Sequence, residues 1–170
     1  MNIERATKHD AEALSILMMR VEQSGMMMAN PGERQLTTAQ MERLIERLQS
    51  PTSALFVAKD EEVIGYLMVQ QENMARTRHR ASIAIGVDEK ARGQGVGTKL
   101  FEACIAWAKE QKIHRLELTY IAHNDAAGAL YNKMGFWQEG VKQHSLYIDG
   151  QYVNEYYMVP KIQRIWAYEE

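Results

Sequence analysis

The stretch with the most chemical promise is Val87-Asp88-Glu89-Lys90-Ala91-Arg92-Gly93-Gln94-Gly95-Val96-Gly97-Thr98-Lys99-Leu100, in which Gly93, Gly95 and Gly97 alternate with other residues. It joins a predicted strand to a predicted helix. The first amides of a helix have no partner inside it, and their dipoles point outward together. Removing side chains there lets a phosphate approach the main chain, so the turn is a candidate anion cradle. The same glycines would also serve a tight turn, their ordinary use. Two known phosphate patterns are excluded. The dinucleotide pattern needs glycine at 98, where Thr98 stands, and the P-loop needs Gly-Lys-Ser/Thr, whereas the order is Gly97-Thr98-Lys99.

Other reactive residue types read differently. Cys104 is the single cysteine and lies on the apolar stripe Leu100, Phe101, Cys104, Ile105, Ala108, which marks a structural thiol and excludes a disulfide within the chain. No Cys/His cluster has metal-ligand spacing, so no metal is expected. Thr77-Arg78-His79-Arg80 is a short basic cluster; with a net charge of −2 on the whole chain it reads as a solvated face, and no nucleic acid partner is expected.

The elements that must position these residues follow from periodicity. Leu14, Leu17, Met18 and Val21 make an amphipathic helix over Asp10 to Ser24. Thr37 or Thr38 caps a second helix through Met41, Leu44, Ile45 and Leu48, ended by Ser50-Pro51. Strands are predicted at Ala54–Ala58, Val63–Val69 and Ala81–Val87, the first two joined by the polar turn Lys59-Asp60-Glu61-Glu62. A long helix follows the glycine turn. Leu116–Ile121 is a short strand, Asp125–Met134 a short helix stopped by Gly135, and Lys142–Ile148 and Tyr152–Val159 a hairpin turned by Asp149-Gly150. The resulting order, β-α-α-β-β-β-α-β-α-β-β, suggests an α/β (α+β) fold with a mixed sheet and helices packed on it.

Length and composition bound the rest. The 170 residues suit one domain, 1–170, and 46% hydrophobic with 25% charged residues is the composition of an ordinary globular chain. Met1-Asn2-Ile3-Glu4-Arg5 lacks the apolar core of a secretory signal, and no apolar run reaches the roughly 20 residues that span a bilayer. The expectation is a soluble, cytoplasmic protein with no membrane partner.

Two motifs, in order, carry a resemblance. Arg92-x-x-Gly95-x-Gly97 at the head of a helix matches the acetyl-CoA signature Gln/Arg-x-x-Gly-x-Gly/Ala, and Asn124-x-x-Ala127-x-x-Leu130-Tyr131-x-Lys133-x-Gly135-Phe136 follows at the expected distance. The sequence resembles the GNAT N-acetyltransferase superfamily from Ala81 to Phe136. That resemblance implies a central, mostly antiparallel twisted sheet flanked by helices. It also implies acetyl-CoA as cofactor and transfer of its acetyl group to a primary amine: a small amine, a polyamine or a protein N-terminus. The amides from Arg92 through Gly93, Gln94, Gly95, Val96, Gly97 and Thr98 would hold the pyrophosphate. Ile85 and Val87 would pair with the pantetheine arm. Asn124 would touch that arm, or cap its helix, or both. Homodimers are common in the family.

Tyr131 matches the family's general acid. Attack of an amine on a thioester makes an oxyanion and expels a thiolate; a positioned phenol can protonate that sulfur, and an amide near Val87 can hold the oxyanion. The base is open. Where several members carry a glutamate, this chain has Ala81, which leaves Glu33, Glu72, His79, His123, His144 or ordered water. Glu33 lies in the loop Gly25 to Leu36, which matches the substrate-side connection, and His144 lies on a strand near the acceptor side. Met26, Met27 and Met28 in that loop can wall an acceptor or fill gaps. Tyr147, Tyr152, Tyr156 and Tyr157, with Asp149 and Glu155 nearby, can face a cationic amine or simply cover the sheet. The alternative to an enzyme is a catalytically inactive acyl-CoA-binding regulatory module. Ala81 favours that alternative, whereas Tyr131 and Asn124 oppose it.

Overall fold

The structure is a computed structural model and describes residues 1–160. Seven strands form one sheet in the order β1-β2-β3-β4-β5-β7-β6. They are β1 (Asn2–Arg5), β2 (Ser53–Asp60), β3 (Glu62–Gln71), β4 (Arg80–Val87), β5 (Arg115–Ile121), β6 (Phe136–Ile148) and β7 (Gln151–Pro160). Four α-helices pack on it: α1 (Ala11–Glu22), α2 (Thr38–Leu48), α3 (Val96–Glu110) and α4 (Asp125–Lys133). Every strand pair is antiparallel except β4 with β5, as the mixed, mostly antiparallel expectation requires.

The two faces of the sheet bury separate cores. Along β2, Ala54, Phe56 and Ala58 join Leu100, Phe101, Cys104 and Trp107 of α3, while Leu55 and Val57 point the other way, into the core of Leu14, Leu17, Met41 and Ile45 from α1 and α2. The alternation is the two-residue period of a strand, and burial on both sides explains why β2 reads as a continuous apolar run. Cys104 is fully buried and its thiol is pushed up to about 12 by that burial, in keeping with a structural role. Local signals hold at the element ends. Thr37 caps α2, its hydroxyl accepting from the Gln40 amide at 3.1 Å while the Gln40 side chain accepts from the Thr37 amide at 2.9 Å. The hairpin after β6 turns on Asp149 and Gly150, both with positive φ (48° and 79°).

The last hairpin departs from its predicted bounds. The predicted strand Lys142–Ile148 begins at Phe136, six residues earlier, because β6 carries register shifts between Gln138 and Gly140 and between Lys142 and Leu146. Each bulge moves side chains to the opposite face, so the alternation that marks a strand is erased along its first half.

Candidate active site

The sheet is parted at its middle. β4 and β5 pair at only three positions, Arg80 with Arg115, Ala81 with Leu116 and Ser82 with Glu117. Beyond them β5 keeps its partner β7 on the other side, from Leu118 to Ile121, and β4 keeps β3. Between the diverging strands lies a cleft of about 500 Å³, lined by Ile83 to Val87 on one side and Leu118 to Tyr120 on the other. The edge of β4 facing that gap offers main-chain groups to an extended ligand, as an unpaired strand edge does.

The glycine turn stands at one end of the cleft. Gly93 and Gly95 have φ of +77° and +80°, a conformation that side chains with a Cβ rarely adopt. Gly95 is the N-cap of α3 and supplies no side-chain cap. Among the described residues, the amides of Gly93 to Thr98 donate to no protein acceptor, while the Arg92 amide is spent on the Glu89 carbonyl at 3.2 Å. The candidate anion cradle thus begins one residue later than its motif. Asp88, 3% exposed, fixes the entrance of the turn: Oδ1 accepts from the Lys90 amide, and Oδ2 lies 3.3 Å from Arg20 Nε on α1. Gly97 has a packing reason, since a Cβ there would come 2.7 Å from Leu130 Cδ2 of α4. The charged side chains on the cleft wall are Arg92 and Lys133, both cationic and suited to an anionic diphosphate.

Of the residues singled out in the sequence, Ile85, Val87, Arg92, Gly93, Gly95, Val96, Gly97, Thr98, Asn124 and Tyr131 all line this one cleft. Gln94 does not; its side chain is exposed and donates to the Lys90 carbonyl at 3.4 Å. Asn124 caps α4 through Oδ1, which accepts from the Ala127 amide at 3.2 Å. Its main-chain amide donates to the Ile121 carbonyl at 2.9 Å, and its side-chain Nδ2 has no protein partner among the described residues.

Tyr131, near the C-terminus of α4, is 6% exposed. Its ring packs edge-on against Phe101 at 5.8 Å and Tyr120 at 5.2 Å. Its hydroxyl makes no protein hydrogen bond among the described residues. Burial, reinforced by the nearby phenols of Tyr120 and Tyr66, drives its pKa well above the usual phenol value, so the proton is retained throughout the neutral range.

The two favoured base candidates lie off the wall. The Glu33 carboxylate accepts from the Asn30 amide at 2.8 Å, closing its own exposed turn. His144 sits in the second bulge of β6 with φ of +52° and stacks on Tyr152 at 5.8 Å. β7 stands between β6 and the cleft strand β5, so the sheet order keeps His144 away. Glu72, His79 and His123 are also absent from the lining, as are Tyr147, Tyr152, Tyr156 and Tyr157. Asp149 forms the hairpin turn and Glu155, buried, faces Lys142 at 3.6 Å; among the described residues neither carboxylate lines the cleft.

Several residues that pack behind the cleft left no local signal in the sequence. Tyr66 pairs across strands with Gly86, and a Cβ on Gly86 would come within 2.5 to 2.7 Å of the Tyr66 ring and hydroxyl. Burial pushes the Tyr66 phenol up to about 12. Glu22, 1% exposed, accepts from Arg34 Nη2 at 2.6 Å and Nε at 3.0 Å. These contacts join residues twelve to twenty apart in sequence, which no short motif records.

The comparisons agree with this geometry. A family model described as the acetyltransferase (GNAT) family matches residues 22–136. The L-amino acid N-acetyltransferase AaaT of Escherichia coli is 32% identical over 121 residues, covering 69% of this chain and 72% of that protein. The [ribosomal protein uS5]-alanine N-acetyltransferase of Escherichia coli is 31% identical over 100 residues, 58% of this chain and half of that protein. Among solved structures, a GNAT-family acetyltransferase from Streptococcus pneumoniae superposes with a TM-score of 0.86 at 26% identity, covering 93% of this chain and 96% of that one. With the parted strands, the bare helix N-terminus and the family match together, the chain belongs to the GNAT family and is an acetyl-CoA-dependent N-acetyltransferase.

Proposed function

We propose that the chain acetylates the amine of a small molecule or peptide by direct attack on the acetyl thioester, with Tyr131 as general acid. The observation that carries this reading is the parting of β4 from β5 beneath the uncapped N-terminus of α3, with a buried, unbonded phenol on the same wall. Acetyl-CoA, when bound, supplies an activated acetyl group whose loss leaves a thiolate. The amides of Gly93 to Thr98, with Arg92 and Lys133, hold the diphosphate; the free edge of Ile83–Val87 and the Asn124 side chain align the arm. With the cofactor bound, an amide near Val87 would be placed to support the carbonyl oxygen, and the Tyr131 hydroxyl would be the proton donor on the thiolate side. Among the described residues no histidine or carboxylate lines the cleft. The proton shed by the amine is therefore assigned to water rather than to Glu33 or His144, neither of which lines the cleft. The names of the relatives, one acting on L-amino acids and one on a ribosomal protein's alanine, support an amine of small-molecule or peptide origin.

The test is CoA release over a panel of amines, with acetyl-CoA affinity measured separately by calorimetry. Tyr131→Phe is expected to lower kcat at least tenfold with affinity changed less than threefold. An unchanged kcat would remove Tyr131 from the chemistry, and tight acetyl-CoA binding without turnover of any amine would favour the regulatory module.

A further inference from the structure

The face of the sheet opposite Tyr131 carries a second wall of the cleft. Tyr131 belongs to the core beneath α3 and α4, whereas Tyr66 and Gly86 look toward α1 and α2. On that second face the cleft is walled by Val21, Ser24, Met26, Met27 and Met28. Three consecutive unbranched thioethers make an apolar surface that adapts to the shape placed against it.

The wall is fixed rather than loose. The Ser24 hydroxyl donates to the Val21 carbonyl at 2.8 Å and accepts from the Met26 amide at 3.2 Å. Arg34 clamps the far side of the loop to Glu22, and the Ser15 hydroxyl holds the Leu36 carbonyl at 2.7 Å. Its charge is also spent. Glu22, the carboxylate next to Val21 in sequence, is buried beneath the wall and paired with Arg34; Glu155 is paired with Lys142; the charged side chains on the cleft itself are the cations Arg92 and Lys133. A second ammonium on the acceptor would lie against methionine, and among the described residues no carboxylate lines the cleft to meet it.

We propose that this methionine wall selects an α-amine whose neighbouring side chain is large and apolar, and rejects polycationic amines. The inference rests on the acetyltransferase reading above and adds the acceptor class to it. One well-filled methylene changes discrimination by about tenfold or more, so a leucine-sized side chain should be read strongly.

The experiment measures kcat/KM by CoA release at saturating acetyl-CoA for leucinamide, glycinamide, spermidine, free leucine and a leucyl tripeptide. Leucinamide is expected to exceed glycinamide at least tenfold and spermidine at least a hundredfold. Free leucine or the tripeptide, whichever is faster, identifies a metabolite or a peptide as the source, and a fast reaction with either supports the proposal. Met28 is half exposed, so Met28→Glu tests the wall with little risk to folding; it should shrink the ratio of leucinamide to spermidine at least tenfold. Spermidine equal to leucinamide in the wild type, or a ratio unmoved by Met28→Glu, would overturn the proposal while active turnover leaves the acetyltransferase reading standing. No acetyl-CoA binding and no turnover of any amine would sink both.

Discussion

Tyr131 is a residue whose surroundings set its protonation. Its folded pKa is raised above the ordinary phenol value first by burial and then by the phenols of Tyr120 and Tyr66. The protonated form is the one that can donate, and a raised pKa extends that form to higher pH. The expected pH profile of kcat/KM therefore rises as the acceptor amine deprotonates and shows no falling limb below pH ~10. A steady-state profile from pH 6 to 10, with an enzyme stability control, checks it; a limb falling near pH 7 to 8 would point to a different acid. At this scale the sequence was informative wherever chemistry and local backbone coincide. Gly93, Gly95, Asn124 and Tyr131 are each tied to a turn or a helix end, and such positions carry motifs. Glu22, Arg34 and Tyr66 act through partners far away along the chain, so their types alone said nothing.

Strands and helices show where pattern reading succeeds and where it fails. α1, α2 and α3 follow their periodicities because each lays one face on a core, and β2 reads as a continuous apolar run because it is buried on both faces. β6 lies at the sheet edge, exposed along most of its length and twice bulged, so its side chains answer to no single face. Between β3 and β4, Gly86 leaves room for the buried Tyr66 ring. An aromatic ring held on both sides cannot step back as a flexible chain would. Gly86→Ala is expected to cost about 2 kcal/mol through overpacking, a fall in Tm of roughly 5 °C by calorimetry. Gly86→Ala combined with Tyr66→Leu should recover at least half of that loss; no recovery would place the strain elsewhere.

At the scale of the whole molecule, two cores on opposite faces share one sheet, and that sheet is continuous through β4 and β5 only over three residue pairs. Composition and element order sufficed to predict helices packed on a mixed sheet. The parting of the strands was not visible, because both read as ordinary apolar strands and nothing local says where pairing stops. If the thioester ligand lies along Ile83–Val87 as proposed, it would extend the sheet there as an added strand. Acetyl-CoA at a hundred times its Kd should then raise stability by about 2.7 kcal/mol. Amide hydrogens of Ile83–Val87 should exchange markedly more slowly with ligand than without, while those of β1 and β6 at the outer margins stay unchanged; uniform slowing across all seven strands would instead mean that the ligand merely shifts global unfolding.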